Sequence, residues 1–197
     1  MTAFAYPLRL SFKIAALTPQ ISVTDSGDRL LLYVKQKAFK LKEKVTVFAD
    51  QAQTRPLYSI GADRVIDFSA QYDITTAAGG RIGALKRRGM RSLWRAHYDV
   101  LRDGANVLTI REANPWVKVV DSLLGEVPVL GLLTGYLFNP AYVVARPDGT
   151  ILLRVQKQPA LFEGKFQVTR LADLPREEEE LALLSVLIML LLERTRG

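Results

Sequence analysis

Apolar residues occupy every second position along most of the chain. Leu8, Leu10, Phe12 and Ile14 alternate with other residues, and the same period recurs at Ile21/Val23, Val45/Val47, Tyr72/Ile74, Tyr98/Val100, Tyr142/Val144 and Phe166/Val168. The positions between them are mostly polar, as in Gln20/Ser22/Thr24, Gln71/Asp73/Thr75, Arg95/His97/Asp99 and Lys165/Gln167/Thr169. A two-residue period with one apolar and one wet face predicts strands of an antiparallel sheet. The paired positions start 24, 27, 26, 44 and 24 residues apart, the spacing of a repeated hairpin. Turn residues follow most of them: Asp25-Ser26-Gly27-Asp28, Gly79-Gly80, Asp103-Gly104 and Pro147-Asp148-Gly149. Return strands then begin, as at Leu30/Leu32/Val34, Val107/Thr109 and Ile151/Leu153/Val155.

With the opening strand included, the pattern predicts a mainly β domain of about twelve strands, and a sheet of that size closes or splits into layers. A closed antiparallel barrel of about twelve strands has a lumen too wide for strand side chains alone to fill. The C-terminal segment supplies a filling. Leu181 to Leu192 is apolar on every side apart from Ser185, the pattern of a helix surrounded by protein or lipid. Asp173 is placed to cap such a helix, Pro175 falls in its first turn, and Glu177 to Glu180 match its positive end. Arg194 and Arg196 match the negative end. The apolar stretch spans roughly 18 Å as a helix, short for a bilayer and close to the height of a tilted barrel. The expected architecture is a single domain over residues 1–197, with a buried central helix at 174–194.

The longest interval, before Tyr142, holds an insertion at about 114–138 that reads as two short helices. Asn114 and Pro115 start the first, with Trp116, Val119, Val120, Leu123 and Leu124 on one face; Pro128 opens the second. The next strand, Ala141 to Ala145, is apolar on both faces, so a cover is expected, and the adjacent insertion is placed to provide it. Alternatively, part of its apolar surface, including Trp116 and Phe138, meets a membrane or a partner.

Composition narrows the chemistry. The chain has no cysteine, which removes disulfides, thiol nucleophiles and Cys-ligated metal, and its single His97 removes any site built on two imidazoles. No phosphate loop, nucleophile elbow, zinc spacing or dinucleotide fingerprint is present, and no carboxylate pair is indicated by spacing. No catalytic residue, metal site or cofactor is therefore expected. Arg9 and Lys13 interrupt the place of a signal peptide's apolar core, so a cytoplasmic protein, peripheral at the membrane if at all, is the expectation. The net charge of +7 favours anionic partners. Lys86, Arg87, Arg88, Arg91 and Arg95 form the densest cationic cluster, beside Trp94 and read as a loop between two strands. Such a cluster suits phosphates, although a solvated basic loop has the same composition. The run Lys35/Lys37/Lys40/Lys42/Lys44 reads as a wet strand face with a turn.

The segment Tyr33-Val34-Lys35-Gln36-Lys37-Ala38-Phe39, its echo Val155-Gln156-Lys157-Gln158-Pro159-Ala160-Leu161-Phe162, and the terminal helix resemble the LURP-one-related proteins of the tubby-like superfamily. The resemblance implies a twelve-stranded barrel around a hydrophobic C-terminal helix. Tubby domains bind phosphoinositides, so it also implies a binding module, with no tubby pocket residue matched here. Scramblases of the superfamily carry a Pro-rich N-terminal segment and a Cys cluster, which this chain lacks. Two readings follow. One is a non-enzymatic module for anionic phospholipid or a membrane surface; the other is a scaffold that binds a polypeptide through the insertion. Nucleic acid has only the net charge in its favour, without a recognition helix or stacking motif.

Overall fold

The computed structural model describes residues 4–13, 20–35, 44–62, 70–88, 96–113, 141–160 and 163–194. The alternating segments form strands: β1 (Leu8–Lys13), β2 (Gln20–Thr24), β3 (Leu30–Lys35), β4 (Val45–Phe48), β5 (Pro56–Ala62), β6 (Gln71–Thr76), β7 (Arg81–Arg87), β8 (His97–Arg102), β9 (Ala105–Glu112), β10 (Ala141–Ala145), β11 (Ile151–Gln158) and β12 (Glu163–Arg170). Each pairs antiparallel with its neighbour in sequence, and β1 closes on β12 from Leu8↔Val168 to Lys13↔Glu163. Closure removes the exposed edges that an open sheet would present. Among the described residues the thinnest seam is β3–β4, which pairs at Tyr33↔Phe48, whereas the other neighbouring strands share four to six partners.

Strand alternation decides what fills the barrel. Leu8, Leu10, Phe12, Ile21, Val23, Val45, Val47, Ile60, Ile74, Leu85, Tyr98, Val100, Val144 and Val168 point inward and are all buried. Against them lies α1 (Arg176–Arg194), on which every residue from Leu181 to Leu191 is at most 3% exposed whichever way it points. No helix among the described residues is long and apolar enough to cross a membrane. The sheet, not lipid, surrounds this one.

The strand directions give the barrel two unlike rims. The turn rim carries the short connections, such as the two-residue Asp103-Gly104 loop, whose positive φ values of 52° and 80° match the twist of a tight hairpin. The opposite rim, where α1 ends, carries the remaining connections. At the turn rim three arginines hold the start of α1. Arg146 grips Glu178 in a fork (Nε–Oε1 3.0 Å, Nη2–Oε2 2.6 Å) and donates to the Asp173 carbonyl. Arg102 donates to the Glu177 carbonyl at 2.7 Å, and Arg170 to the Ala172 carbonyl at 3.1 Å.

Two expectations about this end need correction. The helix begins at Arg176 rather than 174, after Pro175 instead of around it. Asp173 is exposed and pairs with Arg170 at 2.6 Å, because the chain must turn sharply from β12 into the lumen and the strand's own arginine reaches the carboxylate there. β10 is buried on both faces as expected, with Val143 8% exposed. The insertion proposed as its cover, at 114–138, lies outside the described residues.

Helix and wall meet closely at β7. A methyl group on Gly83 would sit 2.5 Å from the Leu101 carbonyl oxygen and 2.8 Å from Leu181 Cδ1. Gly83→Ala is therefore expected to lower stability by about 1–3 kcal/mol in denaturant melts, although glycine-to-alanine changes at unstrained sites stabilise. An unchanged midpoint would mean that the helix does not press on this strand. In the apolar stretch of α1, the Ser185 hydroxyl is fully buried and makes no hydrogen bond. Ser185→Ala should raise stability by about 1 kcal/mol in the same assay, since an unpaired hydroxyl costs free energy on burial.

Candidate anion-binding rim

Strand ends bring dispersed cations together on the rim where α1 ends. Among the described residues, Lys13 closes β1, Lys35 closes β3 and Lys44 precedes β4. Lys86 lies near the end of β7, Arg88 follows it, Arg111 lies near the end of β9, and Lys165 lies near the start of β12. All seven are exposed, and Glu112 is the exposed acid described among them. The turn rim is balanced by comparison. Its exposed Arg9, Arg29, Arg55, Arg81 and Arg176 are matched by Asp28, Asp103, Asp148, Asp173 and Glu177. Several of these acids are in ion pairs, including Arg9–Asp28 at 2.7 Å and Arg170–Asp173 at 2.6 Å. The exposed charge of the described residues is thus polarised along the barrel axis. A mainly positive rim attracts anions over about 8–10 Å at physiological salt.

The cluster expected in a loop is only partly one. β7 continues through Lys86 and Arg87, because its ladder to β8 holds Lys86↔Asp99 and Arg87↔Tyr98 in register. Lys86 stands exposed on the outer face. Arg87 follows Leu85 on the inward-facing register, and its charge acts on the Tyr98 hydroxyl. Arg88 donates Nε to Asp99 at 2.7 Å, an ion pair that satisfies part of its charge internally. Asp99 also accepts from Asn106 at 3.1 Å. Arg91 and Arg95, and the apolar pair Trp116 and Phe138, lie outside the described residues. Lys13, Lys35, Lys44, Arg111 and Lys165 were not singled out from the sequence as one site. Each sits at or beside the end of an alternating segment, and the one signal that could have joined them is strand direction.

Beneath this rim lies a polar layer. The buried Tyr98 hydroxyl donates to Glu193 near the end of α1, with Tyr142 close by. Burial pushes the Tyr98 phenol well above its ordinary value, and Glu193 adds to the effect. Burial, then Glu193 and Glu112, push Tyr142 up to about 12. Both phenols stay protonated near neutrality, so they serve as hydrogen-bond donors rather than bases or nucleophiles. No group of three or more metal-ligating side chains occurs among the described residues.

The other end of the lumen holds a second buried polar group. Glu179 is 3% exposed, with Arg170 Nη1 at 3.9 Å from its Oε1 and the Tyr6 hydroxyl nearby. The Tyr6 hydroxyl faces the Glu179 carboxylate in a contact looser than a well-formed hydrogen bond, yet near enough to favour the ionised carboxyl. Burial raises the Glu179 carboxyl above its ordinary range, against the opposing pull of Tyr6, Arg170 and Arg176.

Comparison with known proteins agrees with this architecture. The family model described as LURP-one-related matches residues 30–169. An X-ray structure of a protein from Arabidopsis thaliana superimposes with a TM-score of 0.50, covering 98% of this chain and 93% of that one at 17% identity. At that identity the likeness speaks for the fold alone. No curated protein matches the sequence significantly.

Glu179 makes stability depend on pH in a definite direction. The folded protein binds this proton more tightly than the unfolded chain. Its contribution is therefore present in full below the unfolded value near 4.3 and is lost as pH rises through the folded one. Glu179→Gln should match the parent in melting temperature near pH 4 and gain on it progressively toward pH 7. A difference that stays constant across this range would place Glu179 in a solvated, unperturbed setting.

Proposed function

The chain belongs to the LURP-one-related family, and from that premise we propose that it is a non-enzymatic binding module whose basic rim docks on anionic phospholipid at a membrane surface. The observation that carries this reading is the axial polarisation of charge among the described residues: seven exposed cations against one exposed acid at one rim, five against five at the other. A flat membrane approaches a barrel end-on, so cations spread around one rim engage it together. Each basic residue near an anionic surface contributes about 1 kcal/mol, so several acting together hold the protein without a deep pocket. The protonated phenols and the ion-paired Asp99 beneath the rim are suited to holding shape, and supply no base or nucleophile for catalysis. The reading makes the protein cytoplasmic and peripheral, with Lys86 at the centre of the contact and Arg88 divided between lipid and Asp99. Arg87, Arg91 and Arg95 complete the basic cluster in this reading.

The alternative, a scaffold that takes a polypeptide partner through Trp116, Phe138 and the rest of the insertion, draws on the apolar outer face of β10. It predicts binding that is indifferent to vesicle charge.

Vesicle sedimentation separates the two. The protein is expected to bind vesicles containing acidic lipid and to leave neutral ones, with the difference shrinking as salt rises. The triple change Lys35→Glu, Lys86→Glu, Lys165→Glu should abolish the preference, because all three side chains are exposed on the basic rim. The same reversal at Arg9 and Arg81 on the turn rim should leave it nearly intact. Melting temperatures should move little, since exposed ion pairs contribute weakly. Equal binding to both vesicles, or loss only with the turn-rim change, would remove the lipid reading.

A further inference from the structure

A separate feature lies at the turn rim, beside the thin seam between β3 and β4. There the wall carries a half-open hollow of about 170 Å³, well above the roughly 10–15 Å³ that holds one water. Its floor is hydrocarbon, including Leu31, Leu57 and Tyr58, while Arg29, Arg55 and Arg176 stand around it. The hollow lies where β3 and β4 stop pairing: on the turn side of Tyr33↔Phe48 the described residues of the two strands share no further partners.

The arginines are positioned by groups other than one another. Asp25 accepts the Gly27 and Arg29 amides and Arg29 Nε, all at 3.0 Å, fixing the β2–β3 turn and the guanidinium together. Burial of this carboxyl works against its ionisation, but these amides and Arg29 outweigh it and hold it below the ordinary range. Asp50 accepts the Thr54 and Arg55 amides at 3.1 and 2.9 Å and sits 3.9 Å from Arg55 Nε, which leaves the Arg55 side chain 73% exposed. Arg176 lies over the Phe4 ring at 5.8 Å and remains exposed. Guanidinium groups gathered over an apolar floor form a surface with two halves. The forks suit a carboxylate or phosphate, and the floor suits a short chain of methylenes.

We propose that this cavity is a binding site for a small amphiphilic anion, a carboxylate or phosphate monoester on a short hydrocarbon body. The head group is held by Arg29, Arg55 and Arg176, and the body lies on Leu31, Leu57 and Tyr58. The site is at the opposite end of the barrel from the basic rim and shares no residue with it.

The test is titration of the full chain with hexyl phosphate, hexanoate, inorganic phosphate and hexanol, followed by calorimetry and by amide shifts. Hexyl phosphate or hexanoate is expected to bind at least about tenfold more tightly than inorganic phosphate or hexanol, with shifts centred on Leu31, Leu57 and Tyr58. The pair Arg55→Gln, Arg176→Gln should weaken that binding by about tenfold or more without lowering the melting temperature. Binding no tighter than that of inorganic phosphate, binding unchanged in the paired variant, or shifts centred elsewhere would each overturn the proposal. Acidic vesicles distinguish the source of the anion. Weaker vesicle binding by the paired variant points to a membrane lipid, and unchanged vesicle binding points to a soluble metabolite. Failure of the Lys35, Lys86 and Lys165 test at the other rim leaves this result readable on its own.

Discussion

The structure depends on the burial of α1 inside the sheet. Twelve strands close around a space that their inward side chains cannot fill, and Leu181 to Leu191 complete it with an apolar surface on every side. Neither part has another way to hide its hydrocarbon. The helix alone would expose leucines in all directions, and the barrel alone would hold a void or collapse. Fully burying one such side chain stabilises by about 1.5–3 kcal/mol, so the shared surface outweighs any single polar contact in the molecule. Gly83 marks how closely the two parts fit, since even one methyl there would meet both the wall and the helix.

A helix threaded through a barrel makes its two ends unequal, and the polar chemistry follows from that. At the entry, Arg102, Arg146 and Arg170 satisfy carbonyls and carboxylates where the chain turns in from β12, while Glu179 is carried past them into the lumen. At the exit, Glu193 meets Tyr98 beneath the rim that collects exposed lysines. Negative charge from the glutamates therefore offsets the arginines of the turn rim. The opposite rim has no comparable set of exposed acids among the described residues. This asymmetry favours one end for an anionic surface and leaves the other free to form a smaller hollow at the β3–β4 seam.

Much of the fold was legible because its determinants are local. A two-residue period reports strands, Asp103-Gly104 reports a hairpin, and an all-apolar stretch flanked by glutamates and arginines reports a helix enclosed by its own protein. The start of that helix was less legible. Asp173 and Pro175 form a common start signal, but Arg170 takes the carboxylate, a contact set by the geometry of the β12 exit rather than by the local sequence.

The candidate site was legible only in fragments. The cluster at Lys86–Arg88 stood out because its members are adjacent, yet adjacency misjudged their settings. Strand register places Lys86 outward and Arg87 on the inward-facing register, and Asp99, eleven residues on from Arg88, pairs with it. Lys13, Lys35, Lys44, Arg111 and Lys165 carry no mutual signal, since up to 152 residues separate the first from the last. By itself the sequence determined the strands, the hairpin repeat and the buried helix, because periodicity and turn chemistry act over a few neighbouring residues, while closure of the barrel rests on β1 meeting β12. Only the tertiary structure decided which charges share a rim and where the wall parts into a cavity. Those depend on strand direction and on pairing between segments far apart in the chain.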